Sequence, residues 1–256
     1  MIGIIGHGFV GSSVANAFDA ADVIISDPKL NSISVEDVVN SDPLCIFVCV
    51  PTPMGQDGKV NPKIVQSVLK KIPEKMLTIV KSTITPNNLP IGKKGLVLNP
   101  EFLTEKNAKD DFLHPPFHVF GGAIEDTRMA EAIFHLEGCK VDRVKAYHTD
   151  IKTASFVKYS INTFLATKVI YMNQLKELYL ANGGKAWESL TEILASESRF
   201  GSSHMKVPND GQYGFGGTCF PKDTSAFYEF GLENNIVLSV LESAIKENKK
   251  LRPEYY

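Results

Sequence analysis

The chain has 256 residues, of which 43% are hydrophobic and 22% are charged, and its formal net charge is −2. This composition is typical of a folded globular chain with one large or two modest domains, and it argues against disorder. The near-neutral charge gives no basis for binding nucleic acid or an anionic membrane, and no apolar run approaches the length of a membrane span.

A glycine-rich turn follows the first predicted strand, which covers residues 1–5. The turn, Gly6-His7-Gly8-Phe9-Val10-Gly11, precedes a predicted helix over 12–20, and a second strand, 23–26, ends at Asp27. This order is that of a dinucleotide fold, in which glycines let a pyrophosphate approach a helix N-terminus. Asp27 would accept from a ribose 2′-hydroxyl and repel a 2′-phosphate, which favours NAD over NADP. The alternatives are a structural glycine turn and a turn residue before Pro28.

Short apolar segments continue to alternate with helices as far as residue 120. Further strands are predicted over 44–50, 77–80, 96–98 and 117–120, with a helix over 61–71. The pattern predicts an α/β fold, a Rossmann-type doubly wound, mostly parallel sheet, whose ligands gather at the carboxyl ends of the strands. Three polar segments follow strands there: Pro51-Thr52-Pro53, Ser82-Thr83 and Asn99-Pro100-Glu101. Each is also compatible with plain turn chemistry.

The second part of the chain is predicted to be all-helical. Residues 151–181 contain no Pro or Gly and predict one long helix, which Asn182-Gly183-Gly184 ends. Further helices are predicted over 187–197, 222–230 and 236–249. We therefore expect a Rossmann-like domain over 1–148 and a helical domain over 149–256. A helix of this length needs partners on several sides, and one of them is expected to be a second subunit.

Cys219 lies at a predicted helix start, after the glycine-rich loop Gly214-Phe215-Gly216-Gly217. Pro221 suits a first helical turn, and the helix dipole favours a thiolate there. Asp223 follows one turn later. The alternative is that Cys219 is a small packing residue. The other three cysteines follow no metal or disulfide spacing, and Cys45 and Cys49 are expected to be buried packing residues.

Lys158 and Asn162 are one helical turn apart in an otherwise apolar stretch of the long helix. Burial of an ammonium without a function is uncommon, although lysines also extend from apolar faces to solvent. The N-terminus has no basic region typical of a signal peptide, and no metal site is expected. We predict a reduced, cytoplasmic environment.

Six motifs, in this order, resemble the nucleotide-sugar 6-dehydrogenases, the UDP-glucose and GDP-mannose dehydrogenase family. They are residues 6–11, 50–53, 81–83, 99–105, 158–168 and 214–223, and the resemblance extends from residue 1 to about 250. It implies an NAD-dependent four-electron oxidation of a sugar C6 alcohol to a carboxylate. Cys219 would form a thiohemiacetal with the intermediate aldehyde and then a thioester, which water hydrolyses.

The resemblance also implies roles for individual residues. Lys158 and Asn162 would stabilise the oxyanion, Asp223 would activate water with Lys158, and Glu101 would position the substrate near C6. Glu105 and Thr83 would hold a water and the nicotinamide side. The residues expected to contact the cofactor are Gly6, Gly8, Phe9, Val10, Gly11, Asp27, Pro51, Thr52, Thr83 and Glu105. Those expected to contact the substrate are Glu101, Phe102, Lys158, Asn162, Arg199, Lys206, Phe215 and Gly216, with Arg199 reaching a neighbouring subunit.

Departures from the family pattern affect substrate recognition. Members usually continue into a further domain that holds the nucleotide, whereas this sequence stops at residue 256. Position 155 is Ser where Glu is common, and position 104 is Thr where Arg is frequent. We expect a homodimer that oxidises UDP-glucose. The alternatives are a weakly active NAD-binding module that needs a partner chain and a dehydrogenase for a smaller alcohol or sugar phosphate.

Overall fold

The computed structural model describes residues 1–104, 106–209 and 211–256. In this part of the chain one seven-stranded sheet has the order β2-β1-β3-β4-β5-β6-β7. The strands are β1 Ile2–Ile5, β2 Val23–Ser26, β3 Cys45–Val48, β4 Thr78–Val80, β5 Leu96–Leu98, β6 His118–Gly121 and β7 Ala146–Thr149. Neighbouring strands are parallel except for β5 and β6. The predicted fold class is confirmed.

The helices of the described residues connect the strands and then form the second part of the chain. They are α1 Phe9–Asn16, α2 Val35–Asn40, α3 Lys63–Lys71, α4 Ala108–Leu113, α5 Ile124–Ile133, α6 Ile151–Ala181, α7 Trp187–Ser196, α8 Phe220–Glu233 and α9 Ser239–Leu251. No helix in the described part of the chain combines the length and apolarity needed to cross a bilayer.

Strand β3 shows why the sheet is covered on both faces. Alternate side chains of a strand point to opposite faces, and every residue of β3 is buried. Cys45, Phe47 and Cys49 join one apolar cluster, whereas Ile46 and Val48 join another. Burial raises the pKa of the Cys49 thiol to about 12. Cys45 and Cys49 are therefore packing residues, as the alternation predicts.

Helix α6 has the bounds that the sequence predicts, and at ~1.5 Å per residue its 31 residues extend about 46 Å. It ends before Gly183, whose φ of +80° is favourable for glycine. The chain divides into two compact units, and the division between Lys158 and Tyr159 falls within this helix. The units are Met1–Gly55 with Val60–Lys158, and Gln56–Lys59 with Tyr159–Tyr256. The domain boundary at residue 148 stays a prediction.

Some elements differ from the sequence-based expectation. Helix α1 begins directly after Gly8 and ends at Asn16, because residues 20–22 form a separate 3-10 turn. Helix α2 was not predicted, although Ser34 and Asp37 form a complete capping box at its start. Strand β7 was also not predicted, since it is short and its side chains are half-buried or exposed.

Candidate active site

The glycine-rich turn packs closely against the sheet of the first unit. Gly6 has a φ of +89°, and a Cβ there would lie 2.8 Å from the Cys49 carbonyl oxygen. A Cβ at Gly11 would lie 1.9 Å from the carbonyl oxygen of Gly6. These two glycines are therefore required for α1 to approach β1 and β3.

Gly8, by contrast, faces open space. It is the N-cap of α1, no side chain caps this helix, and its first turn has no acidic residue. No atom lies within 4 Å of the position that a Cβ of Gly8 would occupy. Phe9 is 39% exposed and Val10 is half-buried at the helix start. An uncapped helix N-terminus with open space beside Gly8 is compatible with the pyrophosphate of NAD, because helix N-termini favour anions.

Asp27 is bonded to the glycine-rich turn. One carboxylate oxygen accepts the His7 N–H at 2.6 Å, and the other accepts the Lys29 N–H at 2.8 Å. The hydrogen bond from the His7 backbone and then that from Lys29 lower the pKa of Asp27. A carboxylate at this position suits a ribose diol, since each oxygen keeps a further lone pair.

The carboxyl ends of β3, β4 and β5 present the predicted polar segments. Thr52 is buried, Pro51 is exposed and Thr83 is half-buried. The Ser82 hydroxyl donates to the Val50 carbonyl oxygen at 2.7 Å, which ties the ends of β3 and β4 together. Glu105 lies outside the described residues.

Lys158 and Glu101 form a buried ion pair in the first unit. The Lys158 Nζ donates to the Glu101 carbonyl oxygen at 2.7 Å and to its Oε1 at 3.3 Å. Lys158 is 4% exposed and Glu101 is 7% exposed. The Glu101 Oε2 is buried and has no hydrogen-bond partner among the described residues. Such an oxygen is a ready acceptor for a ligand hydroxyl.

Asn162 and Asp223 form the corresponding buried contact in the second unit. The Asn162 Nδ2 donates to the Asp223 Oδ2 at 2.7 Å, and the Lys222 Nζ donates to Oδ1. Cys219 is the N-cap of α8, as predicted, and its carbonyl oxygen accepts the Asp223 N–H at 2.8 Å. The thiol is half-buried and lies 3.7 Å from the Thr218 Oγ1.

The remaining predicted substrate residues have different surroundings. The Arg199 side chain is 87% exposed and makes a bidentate pair with Glu197, which lowers the pKa of Glu197 to about 2. Lys206 is exposed, and the Phe102 ring is half-buried. Phe215 is 3% exposed and packs in the core of the second unit. At Gly216, other side chains of this protein lie within contact distance of the position that a Cβ would occupy.

For two buried residues, Lys81 and Tyr159, the sequence predicts no role in the site. Lys81 is 3% exposed and donates to the Asn99 Oδ1 at 2.9 Å, and burial lowers the pKa of Lys81 to about 8. The sequence feature that could have identified Lys81 is its position directly after β4. Tyr159 is fully buried, its ring stacks on Phe227, and its hydroxyl has no partner among the described residues. No sequence signal distinguishes it from an ordinary core tyrosine.

Comparison with known families gives two matches. Residues 29–136 match the NAD binding domain of the UDP-glucose/GDP-mannose dehydrogenase family, and residues 152–250 match the central domain of the same family. The UDP-glucose 6-dehydrogenase of Rickettsia conorii is 32% identical over 235 residues, which are 87% of this chain and 52% of that protein. YwqF of Bacillus subtilis, a UDP-glucose 6-dehydrogenase, is 30% identical over 79% of this chain and 48% of its own length.

Solved structures have the same fold. A UDP-glucose dehydrogenase from Pyrobaculum islandicum superposes with a TM-score of 0.83 at 23% identity, covering 97% of this chain and 68% of that chain. The 3-hydroxyisobutyrate dehydrogenase of Mycobacterium tuberculosis gives 0.75 at 16% identity, covering 99% and 94%. The family resemblance read from the motifs is thus confirmed, and the chain spans about half the length of the curated relatives it matches.

Proposed function

Because this chain belongs to the UDP-glucose/GDP-mannose dehydrogenase family, we propose that it oxidises the C6 alcohol of a nucleotide sugar to the carboxylate, with NAD as the oxidant. UDP-glucose is the preferred substrate, since the relatives cited above are UDP-glucose 6-dehydrogenases. The observation that carries the proposal is α6, which holds a buried ammonium and a buried amide on consecutive turns, each bonded to a carboxylate.

The first oxidation converts the alcohol to an aldehyde. The alcohol gives up its proton to water and a hydride from C6, and NAD, when bound, would be the hydride acceptor in this oxidation and in the next. Glu101 orients the alcohol through its Oε2, the buried oxygen that has no partner among the described residues. Lys158, bonded to the same carboxylate, stabilises the oxygen as it loses its proton.

The second oxidation needs a nucleophile, because an aldehyde has no hydride to lose until something adds to its carbon. The Cys219 thiolate forms a C–S bond, and Lys158 and Asn162 donate to the resulting oxyanion. Loss of the second hydride leaves a thioester on Cys219. A water then attacks the thioester carbon with Asp223 as the base, the C–S bond breaks, and the thiolate and the carboxylate product are released.

The assembly that suits this activity is a cytoplasmic homodimer formed through α6. Phe164, Tyr171 and Leu178 are 67%, 53% and 63% exposed and are seven residues apart. Residues at this spacing share one face of a helix, with a drift of only ~20° per heptad. The exposed Arg199 then contacts the substrate of the neighbouring subunit. We assign residues 1–148 to NAD binding and 149–256 to dimerisation and the catalytic loop.

The test is the amount of NADH formed per UDP-glucose consumed. Wild-type protein is expected to give two NADH and one uronate. Cys219→Ala removes the nucleophile, so uronate formation should fall by at least about a thousandfold. Cys139→Ala is the matched control, because Cys139 is also half-buried and the mechanism gives it no role.

Two other results would reject the proposal in favour of a different function. Tight NAD binding without turnover of any nucleotide sugar would indicate an NAD-binding module that needs a partner chain. Oxidation of a smaller alcohol or a sugar phosphate instead would indicate a dehydrogenase for a smaller substrate.

A further inference from the structure

The glycine-rich loop before Cys219 is held by side chains from the last part of the second unit. The Asn248 Oδ1 accepts the Phe215 N–H at 2.7 Å, and its Nδ2 donates to the Phe215 carbonyl oxygen at 2.9 Å. Two residues further on, the Tyr255 hydroxyl oxygen accepts the Gly217 N–H at 3.1 Å. These side chains therefore fix the loop backbone at Phe215 and at Gly217, and Gly217 is two residues before the thiol.

The glycines of the loop make room for these side chains. A Cβ at Gly216 would lie 2.5 Å from the Arg252 Nη2 and 2.8 Å from the Tyr255 hydroxyl oxygen. The φ of Gly216 is not in the left-handed region, so the requirement for glycine there is steric. A Cβ at Gly214 would lie 2.5 Å from the Asn248 Oδ1. In this structure, these glycines allow the side chains of Asn248, Arg252 and Tyr255 to approach the loop backbone closely.

Arg252 fixes the hydroxyl that holds the loop. Its Nη2 donates to the Tyr255 hydroxyl oxygen at 3.1 Å, and its guanidinium carbon lies 5.0 Å from the centre of the Tyr255 ring. The Arg252 Nε donates to Glu254 at 2.6 Å, and its side chain is only 14% exposed. Both Arg252 and Tyr255 lie beyond residues 152–250, the part that matches the family's central domain.

We propose that Tyr255, held in place by Arg252, is a positioning residue for Cys219. Gly217 has a φ of +77° and lies in a glycine-rich segment with many accessible conformations. The hydrogen bond from its N–H to Tyr255 restricts that freedom and so fixes the loop from which the thiol extends. The catalytic consequence rests on the proposed function, whereas the order of the loop can be measured without it.

Hydrogen–deuterium exchange of peptides covering residues 214–219 tests this role. Tyr255→Phe removes the acceptor oxygen, and Gly216→Ala places a methyl group against Arg252 and Tyr255 from the loop side. One net hydrogen bond slows local opening by roughly fivefold, so exchange should be faster by about that factor in both variants. Tyr228→Phe is the control, since Tyr228 lies on α8 and its hydroxyl interacts with Glu242 and not with the loop. Circular dichroism checks that each variant is folded.

Steady-state kinetics with UDP-glucose and NAD provide the second readout. We expect kcat to fall roughly tenfold in Tyr255→Phe with an unchanged KM for NAD, because a misplaced nucleophile slows chemistry without altering cofactor binding. Exchange as slow as in wild type would overturn the proposal, and so would faster exchange with an unchanged kcat. If wild-type protein oxidises no nucleotide sugar, the proposed function fails, and the exchange result alone decides whether Tyr255 holds the loop.

Discussion

At the scale of single residues, the first unit buries two ammonium groups. Among the residues that the structure describes, one carboxylate interacts with both of them. Lys81 and Lys158 are 3% and 4% exposed, and Glu101 is the acid that interacts with both. Burial of a charge is costly unless partners replace the lost water. Lys158 has a carboxylate as a partner, whereas Lys81 has the neutral Asn99 and lies 5.2 Å from the centre of the Phe112 ring.

The Lys81 ammonium predicts a change of stability with pH. Burial lowers the pKa of Lys81 in the folded state from 10.5 to about 8. Between these values Lys81 binds more protons in the unfolded chain than in the folded one, so the contribution of Lys81 to stability rises as the pH rises from 8 to 10.5. The free energy of unfolding of wild type minus that of Lys81→Met should therefore increase by on the order of 2 kcal/mol between pH 7.5 and 10.5.

Urea unfolding at a series of pH values measures this difference. Lys70→Met is the control, because Lys70 is an exposed lysine and its removal should leave the pH dependence unchanged. Burial raises the pKa of the Cys49 thiol from 9.0 to about 12, so this thiol ionises within the window only in the unfolded chain. Both proteins contain Cys49, so its effect cancels in the difference between them. Parallel pH curves for wild type and Lys81→Met would contradict the prediction.

At the scale of elements, α6 has two kinds of face, and we propose a separate function for each. Its buried side carries Lys158 and Asn162, and its exposed side carries Phe164, Tyr171 and Leu178. Exposed apolar side chains that share one face of a helix are costly to leave in water, and a second copy of the helix is the proposed cover.

Replacing Phe164 and Leu178 together by Glu should convert the proposed dimer to a monomer. The carboxylates would be buried without partners in a dimer, but they remain solvated in a monomer. Light scattering after size-exclusion chromatography should show the mass fall from twice that of the chain to that of one chain. Ile193→Glu is the control, because Ile193 is 69% exposed on α7. An unchanged mass in the double variant would exclude this face of α6 as the interface.

At the scale of the whole molecule, cofactor binding is expected to stabilise the folded chain. A ligand that binds only the folded state at 100 times its Kd adds about 2.7 kcal/mol. NAD should therefore raise the unfolding midpoint, whereas NADP at the same concentration should raise it much less, because Asp27 is ionised and repels a 2′-phosphate.

Asp27→Asn tests the electrostatic part of this prediction, because it removes the charge at nearly constant size. The difference between the NAD and NADP midpoints should shrink in this variant, as measured by thermal unfolding. Asp22→Asn is the control, since Asp22 is an exposed acid nearby. A difference that persists unchanged in Asp27→Asn would mean that another group selects the cofactor.

Where local signals are strong, the sequence alone predicts the structure. The bounds of α6 follow from 31 residues without Pro or Gly and from the Asn182-Gly183 stop. Cys219 is the N-cap of α8 because Pro221 suits the first turn and cannot lie deeper in a helix. Strand β7 has half-buried and exposed side chains, so its position depends on pairing with β6 and not on its own pattern.

The sequence by itself determined the alternation of strands and helices, the glycine-rich turn and its acid, and the order of six family motifs, because each depends on residues close together in the chain. Only the tertiary structure decided that Lys158 pairs with Glu101, 57 positions away, and that Asn162 bonds to Asp223, 61 positions away. The same holds for Tyr255 and Gly217, 38 positions apart. Contacts at such separations depend on how the elements pack, and no local pattern encodes which partner a buried polar group will find.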